Sequence, residues 1–78
     1  MTITPELVDE LNVLLLYNLE TTQEGIKVHK NADPEKIAAV KRLYDKALVT
    51  QEDGGYLTDL GRELTEHIQS SLRIITSA

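Results

Sequence analysis

Apolar side chains recur at three- and four-residue spacing from Leu7 to Leu15, from Ile37 to Leu48 and from Leu60 to Ile75. That is the period of an amphipathic helix. The first stripe is Leu7, Leu11, Leu14 and Leu15, with Val8 and Tyr17 beside it and Asp9, Glu10 and Asn12 mostly away. Thr4-Pro5-Glu6 opens it with a capping oxygen, a proline at the first helical position and an acid near the positive helix end. The spacing predicts a first helix over about 5–17. Asp33-Pro34-Glu35 repeats the start signal and leads into Ile37, Val40, Leu43, Tyr44, Ala47 and Leu48, a helix over about 34–47. Between them, Thr21-Thr22-Gln23-Glu24 fits a capping box and predicts a short helix over about 21–30, held through Ile26 and Val28 because Gly25 lowers its intrinsic propensity.

The period then shortens. Leu48-Val49-Thr50-Gln51 and Tyr56-Leu57-Thr58 flank Glu52-Asp53-Gly54-Gly55, and Asp-Gly between two β-prone runs predicts a two-stranded hairpin. Thr58-Asp59 caps a last helix over about 59–75, whose stripe is Leu60, Leu64, Ile68, Leu72 and Ile75. Only Asn31, Ala32 and Asp33 separate the second and third helices, the connection length of a helix-turn-helix, and the hairpin after the third would be its wing. The expected fold is mainly α: a winged helix-turn-helix of three helices, a two-stranded β-hairpin wing and a C-terminal helix, in one domain spanning 1–78.

Composition narrows the functions. A chain of 78 residues, 41% hydrophobic and 27% charged, has the balance of a folded module and room for one domain. It contains no cysteine, which excludes disulfides, thiolate metal sites and a cysteine nucleophile. Neither a membrane span nor a signal-peptide pattern is visible, so a soluble cytoplasmic protein without membrane contact is expected. Net charge is −5, but six of the eight basic residues lie between Lys27 and Lys46 against Asp33, Glu35 and Asp45, leaving that segment at +3. Mixed charge on a solvated helix face is the plainer explanation of the same pattern.

From Leu48 to Leu64, and in the Leu57-Thr58-x-x-Gly61-x-x-Leu64 spacing above all, the chain resembles the wing and following helix of winged helix-turn-helix regulators, including MarR-like ones. Through Thr22-Gln23-Glu24-Gly25-Ile26-Lys27-Val28-His29 and Asp53-Gly54-Gly55-Tyr56-Leu57-Thr58-Asp59-Leu60-Gly61-Arg62 it also resembles a family of short uncharacterised bacterial proteins that often carry a DNA-binding label. The resemblance implies a small transcriptional regulator or accessory factor that binds double-stranded DNA.

In such a fold the 34–47 helix enters the major groove. Ala38 and Ala39 would allow close approach, Arg42 and Lys46 would reach guanine edges or phosphates, and Glu35 would accept from cytosine. Lys27, Lys30, Lys36 and Lys41 would touch phosphates on either side, or would simply be solvated. The acids Glu52 and Asp53 at the wing tip would repel a phosphate backbone. Leu72, Ile74 and Ile75 make the last helix more apolar than one core-facing stripe requires, so a homodimer through the first and last helices is expected unless the protomer's own core absorbs them. The competing expectation is an interaction module that docks a protein partner and touches no DNA, which the overall acidity favours.

Catalysis is not expected. His29 and His67 stand far apart on different predicted helices, without metal-ligand spacing, and suit a helix end and a helix flank. The acid pairs Glu20 with Glu24, Asp9 with Glu10 and Glu63 with Glu66 are ordinary for surface helices, and Gly54-Gly55 lacks the lysine of a phosphate loop. No cofactor, metal or catalytic residue is assigned.

Overall fold

The computed structural model describes residues 1–77. Three helices and a small three-stranded antiparallel sheet follow one another as α1 (Pro5–Leu14), β1 (Ile26–Lys27), α2 (Pro34–Asp45), β2 (Val49–Gln51), β3 (Gly54–Leu57) and α3 (Asp59–Thr76), and about half of the chain is helical. Thr4 starts α1 as expected, its hydroxyl accepting from the Leu7 amide at 3.2 Å. The helix ends three residues before the expected Tyr17, because the amides of Leu16 and Tyr17 bond back only three residues, to Val13 and Leu14. Of the expected stripe Leu7, Leu11, Leu14 and Leu15, only Leu14 is fully buried, so α1 is rolled somewhat from that line. Its buried residues are Glu10, Val13 and Leu14, followed by Tyr17, while Leu7, Leu11 and Leu15 are only half-buried.

The helix expected over 21–30 does not form. Its capping box is replaced by a local turn, in which the Gln23 amide bonds the Thr21 hydroxyl, while Glu24 accepts from the Asn18 side-chain amide rather than from the Thr21 backbone. Ile26 and Lys27 pair instead with Gly55 and Gly54 of β3, and the Val28 amide donates to the Asp53 carbonyl at 2.8 Å. Gly25 lies against β3, where a β-carbon would sit 2.5 Å from the Gly55 carbonyl oxygen. Sheet pairing therefore wins over a helix that glycine and two threonines already weaken. Without that helix the chain contains no helix-turn-helix at Asn31–Asp33; a single turn, closed by the Ala32 amide on the His29 carbonyl, leads into α2.

The sheet has three strands in the order β1-β3-β2, not the two of a simple wing. The hairpin itself lies where the Asp-Gly signal put it, with Val49 opposite Leu57 and Gln51 opposite Gly54. Gly54 and Gly55 both take positive φ, 127° and 65°, which side-chain-bearing residues adopt only at a cost. α2, β2 and α3 are then clamped together. The Thr58 hydroxyl accepts from the Gly61 amide as the cap of α3 and donates to the Ala47 carbonyl at 2.7 Å, and the Thr58 amide bonds the Leu48 carbonyl. A β-carbon on Gly61 would fall 2.9 Å from the carbonyl carbon of Leu48 and nearer still to its oxygen. The Leu-Thr-x-x-Gly spacing is thus a packing device that seats α3 on the turn after α2.

Val13, Leu14 and Tyr17 from α1 and its following turn meet Val28, Ala39, Val40, Leu43, Leu48 and Val49 in one core. Ile26, Ile37, Leu57, Leu64 and Ile68 pack around it. No helix among the described residues is long and apolar enough to cross a membrane.

Candidate functional site

The contact between α1 and α2 carries the strongest electrostatic feature. Glu10 is 4% exposed, and both of its carboxylate oxygens are engaged. Arg42 Nε donates to Oε2 at 3.1 Å, and Lys46 Nζ donates to Oε1. Arg42 also sends Nη2 to the Glu6 carbonyl at 3.2 Å. Burial pushes the Glu10 carboxyl up, but the hydrogen bonds and positive charges of Lys46 and Arg42 outweigh it and hold the group below the usual carboxylate range. The arrangement ties two helices together and engages both cations expected to read DNA, one negative charge set against two positive. Arg42 has Nε on a side chain and Nη2 on a backbone carbonyl, so one edge of its planar fork is already committed within the fold.

The other expected contact residues divide between surfaces: Glu35 and Lys36 line one groove, and Lys27, Lys30 and Lys41 line two adjoining ones. Ala39 is wholly buried between helices, so it cannot approach a base, whereas its neighbour Ala38 is exposed. Glu35 and Lys36 flank a groove with Asp9, Asn12 and Asp33, a predominantly acidic setting. Lys30 and Lys41 are exposed and share a shallow groove with His29 and the hairpin acids Glu52 and Asp53. Lys27 lies on β1 rather than at a helix end, and it too is exposed beside Asp53. Among the described residues, no group of three or more His, Asp or Glu could hold a metal ion.

Glu10 was missed because the apolar stripe set it aside. It stands three and four residues before Val13 and Leu14, the spacing of one helical face, and that was the available signal. Arg62 is a second such residue, with no local pattern to mark it. Its two terminal nitrogens donate to the Leu19 and Thr21 carbonyls at 2.9 and 3.0 Å, pinning the segment after α1 to the start of α3. Tyr17 is 4% exposed, its hydroxyl has no hydrogen-bond partner among the described residues, and burial together with the charge of Asp53 raises its pKa to about 12.

The remaining feature is apolar. Every described residue of α3 and its cap beyond Gln69 is exposed, and these include Leu72 at 40%, Ile74 at 75% and Ile75 at 79%. All three residues expected at a dimer interface therefore lie outside the protomer's core. At the opposite end of the chain, Ile3 and Val8 are exposed around the first turn of α1.

The geometry defines a small α+β domain whose helical ends present uncovered aliphatic surface. The chain belongs to the Family of unknown function (DUF5669), which it matches over residues 1–76. No curated protein and no solved structure matches it.

Proposed function

We propose that this protein is an interaction module that docks a protein partner through the exposed aliphatic surface at the free end of α3 and the start of α1. The observation that carries this reading is the last two turns of α3, which place Leu72, Ile74 and Ile75 in solvent. Aliphatic side chains grouped this way mark interaction surfaces, because leaving them in water forgoes about 1.5–3 kcal/mol for each one fully buried. Meanwhile Arg42 and Lys46, the two cations expected to reach the bases, are held by Glu10, and the molecule is acidic overall. A photo-crosslinking residue placed at Leu72 or Ile75 in cells should yield discrete protein adducts, whereas the same residue at Ala38 should not. Adducts only from Ala38, or none from the α3 positions, would overturn the reading.

A nucleic-acid role is the second reading, in a narrower form. Lys27, Lys30, Lys36 and Lys41 are exposed and make no ion pair among the described residues. The element order is also compatible with a winged-helix-like layout in which the helix before α2 is reduced to the His29–Ala32 turn. Fluorescence anisotropy on random duplex at ~20 mM salt, where phosphate contacts are strongest, tests it. Salt-steep binding that survives Arg42→Ala but is lost on replacing the four lysines would favour this reading.

A further inference from the structure

We infer that the partner of the aliphatic surface is a second copy of this chain, each protomer lodging the free end of its α3 against the start of the other's α1. This rests on the interaction reading above and names its occupant. Three observations converge on it.

The first is the shape of the apolar surface. At 100° per residue, Leu72 and Ile75 continue the side of α3 that faces the core at Gly61, Thr65 and Ile68, while Ile74 points the opposite way. A helix end that is apolar on two opposite sides is not satisfied by lying on one flat surface; it needs to enter between elements.

The second is that the molecule carries a matching acceptor. Ile3 and Val8 occupy the positions immediately before the cap and four into α1, which a hydrophobic staple uses, yet they are 68% and 44% exposed. Arg62 fixes the start of α3 to the segment that follows α1, and the two helices touch. With 18 residues against 10, α3 is ~12 Å longer than α1, and among the described residues nothing covers its last turns. A two-fold exchange supplies that cover twice, since each chain gives one helix end and receives one.

The third is charge. Arg73 is the one charged side chain in the described stretch 70–77, whereas α1 carries Glu6, Asp9 and Glu10 and no cation. Insertion of one chain's α3 end beside the other's α1 brings Arg73 toward exposed Glu6, a pairing of opposite sign. Crossing two α3 ends would instead set Arg73 against Arg73.

Sedimentation velocity of the full chain from about 10 µM to about 1 mM tests this directly. The expected species is a dimer. Ile74→Asp with Ile75→Asp should raise the dissociation constant at least ~100-fold with the helical circular dichroism unchanged, because both positions lie outside the core. Arg73→Glu should raise it about tenfold, and adding Glu6→Arg to that variant should restore it. A wild-type chain that stays monomeric throughout the range, or a dimer indifferent to these changes, would sink the proposal. A monomer whose Leu72 position still crosslinks to a different protein would sink self-association and leave the interaction module standing; loss of both would remove the module as well.

Discussion

Glu10 on α1 and Arg42 on α2, 32 residues apart in the chain, meet at 3.1 Å with the carboxylate almost wholly buried and the guanidinium one-third exposed. Lys46 closes on the other oxygen of the same carboxylate. One acid thereby ties α1 to α2 and limits what α2 can offer to solvent.

Removing that acid should cost stability without abolishing the fold. Glu10→Ala leaves Arg42 and Lys46 facing each other beside an apolar core. Their side chains, 33% and 46% exposed, recover part of their hydration, so a loss of about 1–3 kcal/mol is expected in urea denaturation. Glu10→Gln keeps the volume and should lose less.

The same carboxylate makes stability depend on acid. Because its pKa in the folded chain lies below its unfolded value, its contribution is fully present above the unfolded value and fades as pH falls through the folded one. Glu10→Gln should therefore flatten the acid limb of a stability-against-pH curve below about pH 5. An acid limb unchanged in the variant would contradict the assignment.

Tyr17 should act at the other end of the scale. Its phenol is held neutral up to about 12, whereas an unfolded chain ionises near the ordinary tyrosine value of 10.0, so its effect on stability is constant below that value and turns destabilising as pH rises from one to the other. Tyr17→Phe should remove this alkaline loss. Near neutral pH it should be close to neutral or mildly stabilising, because the buried hydroxyl has no partner to lose.

Gly61→Ala sets two effects against each other. Alanine gains about 1 kcal/mol of helix propensity over glycine. The added methyl would press on the Leu48 backbone, which the Thr58 amide already holds, so neither side yields cheaply. A net destabilisation of roughly 2–3 kcal/mol is expected by thermal or urea unfolding. A stabilised variant would show that α3 is not seated on the turn after α2.

Arg62→Ala should loosen a segment rather than the whole fold. Its two bonds to the Leu19 and Thr21 carbonyls are side-chain contacts to an otherwise irregular stretch. Hydrogen exchange should accelerate over about 19–25 while amides of α2 keep their protection.

Much of the architecture was legible along the chain because it rests on local chemistry. Thr4-Pro5, Pro34, the Asp53-Gly54 turn and the Thr58 cap act within a few residues of themselves, and the start of every helix and the hairpin fall where those residues put them. Tertiary structure alone decided the rest. Ile26-Lys27 became a strand because Gly55 and Gly54 of β3 were there to pair with it, against a capping-box pattern whose propensity was too weak to compete. Arg42 and Lys46 looked like free cations on a basic segment. Their fate depended on an acid 32 and 36 residues away, and charge counted along a chain carries no information about which opposite charge a fold will bury beside it.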